Sequence, residues 1–125
     1  MRKLQPLALA LSACALLLGA LIVRGQDPAK VSKAHIEKLN NDQVQVLEFH
    51  SRPGDKTPMH SHRWNVVYVV QGGKERFTSA DGKSQEREFK AGEVLWREPS
   101  SHSSENVGTT ELIAVIVELK NAPKK

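Results

Sequence analysis

From Val44 onward short apolar runs alternate with turn residues, and none of them keeps a helical period. Val44-Gln45-Val46-Leu47-Glu48-Phe49-His50 reads as a strand with His50 on the face opposite Leu47 and Phe49. Arg52-Pro53-Gly54-Asp55 breaks it, and Met59 to Val70 is predicted as the longest strand, ended by Gln71-Gly72-Gly73. Lys74–Ser79 and the charged, solvent-facing Ser84–Lys90 flank Asp81-Gly82, the preferred chemistry of a tight hairpin. Gly92 turns the chain into Val94-Leu95-Trp96. Pro99–Ser104 is a loop or short strand around His102, and Asn106–Thr109 is a further turn. Leu112 to Val117 is apolar at every position, which predicts cover on both faces. Short strands at this spacing predict an all-β sandwich or barrel over residues 43–120. Residues 26–42 precede it as a polar linker around Pro28 and a short edge strand, Ala34 to Leu39.

Residues 1–25 have another character. Met1-Arg2-Lys3 is basic, Leu7 to Val23 is nearly unbroken apolar sequence, and Arg24-Gly25-Gln26-Asp27-Pro28 ends it. This is the layout of an export signal or anchor helix, so a periplasmic or secreted location is expected. Three fates stay open: cleavage, retention as a short membrane anchor, or lipidation at Cys14. The last arises because Leu11-Ser12-Ala13-Cys14 resembles the lipobox of bacterial lipoproteins, although the apolar run continues beyond it. Membrane contact is expected only through this segment. Cys14 is the one cysteine of the chain, so cleavage near Gly25 would leave a domain without thiol or disulfide.

Charge then narrows the partners. The chain has 18 Lys and Arg against 14 Asp and Glu, and Arg2, Lys3 and Arg24 fall in the acid-free leader, so residues 25–125 carry 15 against 14. With no basic cluster interleaved with aromatics, nucleic acid is not an expected partner.

The candidate chemistry lies in His60, His62 and His102. His60 and His62 are two apart in a predicted strand, hence side by side on one face, where two imidazoles can grip one metal ion. By itself such a pair is more often an ordinary exposed one than a ligand pair. His102 follows 40 residues after His62, a gap across which strands of a small barrel pair. His50 is expected to be an ordinary strand residue and His35 to be exposed. Trp64 and Tyr68 share the parity of the histidines and could line a pocket. Trp96 is not placed by alternation, and aromatics in so small a domain are more often core than pocket lining.

These residues resemble a known family. Gly54, His60, Ser61, His62 and Gly73 follow the first motif of the cupins, while Gly92, Pro99, His102 and Asn106 resemble the second. The resemblance covers about residues 43 to 120 and implies a six- to eight-stranded double-sheet jelly roll, with a metal held inside by histidines of both motifs. Two departures stand out. Val66 occupies the place of the family's usual glutamate, and by alternation is expected to face the same way as His60 and His62. The second motif is one residue shorter, with Ser101 in place of a glycine. What remains is a three-histidine site, His60, His62 and His102. Such a site suits iron, zinc, copper or nickel better than manganese and leaves a coordination position for a small-molecule ligand.

Two functions are compatible with this: a metal-dependent enzyme, oxygenase-like or hydrolytic or isomerising, or a non-catalytic module that captures a ligand or metal. Glu48 and Glu98 are the nearest candidate acids, and neither sits at a family position. A homodimer is expected, since cupins commonly pair and Leu112 to Val117 offers an apolar strand for it.

Overall fold

Alternating inward and outward side chains arrange residues 25–124, those described by the computed structural model, as two antiparallel sheets around one interior. The export segment and Cys14 lie outside the described residues. After a short helix α1 (Pro28–Val31) come β1 (His35–Asn40), β2 (Val44–Ser51), β3 (Lys56–His62), β4 (Asn65–Gln71) and β5 (Gly73–Ser79). They are followed by β6 (Ser84–Phe89), β7 (Val94–Arg97), β8 (Ser100–Asn106) and β9 (Leu112–Leu119). The strand order is β1-β2-β9-β4-β7 in the larger sheet and β3-β8-β5-β6 in the smaller. This is the all-β double-sheet architecture expected from the sequence, with nine strands among the described residues rather than six to eight. The ninth strand arises where Met59–Val70 divides into β3 and β4, while β1 is the expected edge strand, hydrogen-bonded beside β2.

The core forms from inward residues of both sheets: Leu47 and Phe49 on β2, Val67 and Val69 on β4, Leu112, Ala114 and Ile116 on β9, and Phe89 on β6. Burial alternates strictly along β2 and β9. The outward residues of β9, from Ile113 to Leu119, are only half-buried, so the cover predicted for both faces exists on one.

Two glycines of the motifs have steric reasons. At Gly73 a Cβ would stand 2.9 Å from the Leu112 side chain where β5 crosses under β9, and Gly92 turns the chain with φ +84°, which favours glycine. Asn106 closes the far end of the barrel. Its buried amide donates to Ser51 O at 2.6 Å and Thr110 O at 3.0 Å and accepts from Gly108 N at 2.9 Å.

Two expectations are corrected. The segment Met59–Val70 is two strands, because β3 ends at His62 in one sheet and β4 begins at Asn65 in the other. The corner at Arg63-Trp64 shifts the alternation by one residue, so Asn65, Val67 and Val69 point inward while Val66 and Tyr68 point out. The predicted linker also contains α1, capped by Asp27, whose side chain accepts from Ala29 N at 3.0 Å, with Pro28 opening the helix. Four residues are too few to print a helical period.

Candidate metal centre

Four imidazoles meet in the barrel. His60 and His62 come from β3, His102 from the facing position of β8, where it pairs with His60 in the ladder, and His35 from the start of β1. Ring centroids lie 4.8 Å apart for His60–His62, 4.8 Å for His60–His102, 5.1 Å for His62–His102 and 4.9 Å for His35–His60. The rings of the three residues singled out from the sequence thus lie together, but the ligand nitrogens grouped within 4.8 Å of one another are those of His35, His60 and His62, without His102. His35 is 5% exposed rather than surface-lying. Its signal in the sequence was weak, a lone histidine in a strand whose other residues are exposed. Only the pairing of β1 with β2, which sets His35 opposite Phe49, turns it inward.

Local structure fixes how the β3 histidines point. The β3–β8 register slips between Thr57 and His60, a bulge at Pro58-Met59 where proline's missing N–H costs no ladder bond. There the Pro58 carbonyl accepts from His60 Nδ1 at 2.7 Å. His62 Nδ1 donates to the buried carboxylate of Glu118 on β9, whose other oxygen accepts from Arg63 N at 2.7 Å. Both rings are thus held by Nδ1, the arrangement that orients metal-ligating histidines.

Their Nε2 atoms face each other at 3.0 Å. A neutral ring whose Nδ1 carries the donated hydrogen presents its Nε2 lone pair, so in their neutral forms both rings would aim lone pairs at the same point. Two lone pairs at that separation repel unless a proton or a metal ion lies between them. Protonation is disfavoured for the other rings: burial holds His35 at about 2, His102 at about 3 and His60 at about 4, with repulsion from the neighbouring imidazoles adding to it. Neutral imidazole is the ligating form. On donor chemistry and orientation, the residues fit a divalent ion that prefers nitrogen.

Beside the histidines lies a cavity of about 60 Å³, floored by Val67, Phe77, Phe89 and Ile116 and rimmed by Arg97 and Ser100. Among the described residues lining it none is a carboxylate. Glu48 lies on the outer face with Lys38 and His50, and Glu98 is exposed, so neither serves the cavity. His50 keeps its expected place as an outward strand residue, bonded to Glu48 and Glu111. The aromatics expected near the pocket are elsewhere: Tyr68 is 47% exposed, and Trp64 stacks on the exposed Trp96 at 5.5 Å on the outer face. Val66 pairs with Trp96 there, so it does not occupy the place of a missing carboxylate.

No family model matches the chain, and no curated protein sequence matches it. Solved structures do. A cupin domain from Bordetella pertussis Tohama I is 27% identical, with 70% of this chain and 92% of that chain covered and a TM-score of 0.62. A Klebsiella pneumoniae protein with a double-stranded β-helix domain is 22% identical over 80% of this chain and 93% of its own, TM-score 0.53. The polyketide cyclase RemF from Streptomyces resistomycificus is 22% identical over 82% of this chain and 74% of its own, TM-score 0.53.

Proposed function

Because this chain is a small single-domain cupin, we propose that it holds one divalent metal ion through His60, His62 and His102, with His35 as a further ligand, and presents it to a small molecule. The observation that carries this reading is the pair of Nε2 atoms 3.0 Å apart, each ring fixed from behind by an acceptor on Nδ1. Bound there, the ion would supply a Lewis-acidic +2 charge, and redox chemistry if it is iron or copper. The chain's own contribution is to orient the rings, keep them neutral and shield the cavity with aliphatic and aromatic side chains. The purified domain, residues 26–125, is expected to take up one cobalt(II) or zinc(II) per chain in preference to manganese(II). His60→Ala and His62→Ala should weaken uptake at least about 100-fold, and His35→Ala or His102→Ala by a smaller factor. Parent-like uptake by His60→Ala and His62→Ala overturns the site.

A non-catalytic capture module is the second reading, favoured by the lack of a carboxylate among the described cavity residues to serve as general acid or base. Export is part of the proposal on the strength of residues 1–25, and intact mass of the protein from a bacterial host reads it directly. A protein starting at Met1 in the cytoplasmic fraction would end it, and lipidation would appear as a modified Cys14.

We also propose a homodimer through the outer face of the five-stranded sheet. Ile36, Leu39, Tyr68, Val70, Val94 and Trp96 stand exposed on it around the half-buried outer row of β9. Five strands at about 4.8 Å spacing give a face of roughly 500 Å², on which these apolar residues share the surface with Lys38, Glu48 and His50. Two such faces bury on the order of 1,000 Å², the lower range of specific interfaces. Sedimentation should show a dimer that Tyr68→Lys dissociates, and a monomeric parent at micromolar concentration refutes it.

A further inference from the structure

At the mouth of the histidine cavity one guanidinium lies without a counter-ion. Arg97 ends β7 with the inward parity of Leu95 and borders both the histidine cavity and the neighbouring groove. Its Cζ stands 5.6 Å from the centre of the Phe77 ring, and that ring packs edge-on against His102 at 4.9 Å. Among the described residues Arg97 forms no ion pair. Arg76, by contrast, is held by Glu86 and Glu105, and Arg87 by Glu93. Burial, together with repulsion from Arg87, lowers the Arg97 pKa from its ordinary value. A guanidinium stays charged through such a shift, and its fork of donors matches a carboxylate in two parallel hydrogen bonds.

The remaining walls restrict the ligand further. Besides Arg97 and the imidazoles the lining is mostly apolar, with Asn65, Ser100 and Ser104 as its other polar residues, so the chain itself offers an anion one cationic side chain beside a largely apolar body site. A volume of about 60 Å³ admits roughly four to six non-hydrogen atoms.

We propose that the cavity takes a small carboxylate of apolar body, its carboxylate forked on Arg97 at the rim and its body against Phe77 and the aliphatic floor. This rests on the metal reading only in placing the ligand beside the histidine centre.

The test uses butyrate against butyramide, which share a body and differ in charge. Titrated into cobalt(II)-loaded protein, butyrate is expected to change the visible spectrum saturably and to bind at least about 10-fold more tightly than butyramide. Arg97→Gln should weaken butyrate about 10- to 100-fold while cobalt(II) affinity stays within about 3-fold of the parent. Arg97→Lys should recover part of the loss, since a point charge lacks the fork. No butyrate binding, equal binding of butyramide, or parent-like binding by Arg97→Gln overturns the proposal. If the parent takes up no cobalt(II), the metal reading fails alone. The same titration read on the Arg97 Nε–H resonance of the metal-free parent then decides. A saturable shift with butyrate and none with butyramide supports the carboxylate site, and no shift overturns it.

Discussion

Glu118→Gln tests the centre at a residue that would never touch the ion. The carboxylate is buried on β9, with one oxygen taking the His62 Nδ1 hydrogen and the other the Arg63 N–H at 2.7 Å. Glutamine is nearly isosteric but carries one acceptor and one NH₂ donor where the carboxylate has two acceptors. If its oxygen keeps Arg63, the NH₂ faces His62, and the ring must adopt the tautomer with hydrogen on Nε2. The lone pair that faces His60 is then lost. If the amide turns over, its NH₂ opposes the Arg63 N–H and a buried donor goes unpaired. Loss of such an orienting partner typically costs 10- to 100-fold in metal affinity, about 1.4–2.7 kcal/mol. The buried pair also contributes to the fold. About 1–2 kcal/mol of stability should go with it, which lowers Tm by roughly 5–15 °C for a domain of this size. Zinc competition against a chromophoric chelator at pH 7.5 measures the first quantity and thermal unfolding the second, while nitrogen NMR of the His62 ring reports its tautomer. Parent-like zinc affinity with an unchanged tautomer would show that Glu118 does not position His62, and the argument from facing lone pairs would fall with it.

Three further outcomes follow from burial and placement. His35, His60 and His102 titrate at about 2, 4 and 3 in the fold against 6.5 ordinarily. Between those values the unfolded chain binds more protons, so metal-free stability is full above about pH 6.5 and falls as pH drops below it. The slope is up to about 1.4 kcal/mol per pH unit for each group, and urea unfolding at pH 7.5 and 5.5 should differ by at least about 2 kcal/mol, with equal midpoints refuting it. Val66→Glu should leave metal affinity and preference unchanged, because the side chain points to the outer face beside Trp96; a shift toward manganese would mean that it reaches the cavity. Glu75 is fully buried, and burial raises its pKa against the opposing effect of the neighbouring Ser51 and Ser104 hydroxyls. Its neutral form is the stable one, so the parent loses stability as pH rises through the raised pKa. Glu75→Gln should remove that loss, and identical profiles of stability against pH upward from 4.5 in the two proteins count against it.

Much of this protein is written locally. Strand and turn signals are matters of neighbouring residues, so β2, β9 and the Asp81-Gly82 hairpin could be placed from alternation and turn chemistry alone. The pair His60 and His62 was legible for the same reason, a two-residue period within one unbroken strand. His102 needed its resemblance to a motif, because the β3–β8 register that sets it opposite His60 is a contact across the barrel. Beyond that, tertiary structure decided. The corner at Arg63-Trp64 moves the chain from one sheet to the other and resets which parity faces inward, which is why Val66, Tyr68 and Trp64 were assigned to the wrong side. His35 enters the centre only because β1 pairs with β2, and Glu118 and Arg97 because β9 and β7 flank β4. An isolated run of residues records its own periodicity; which side chains from distant strands share an interior depends on how the sheets close, and no local pattern carries that.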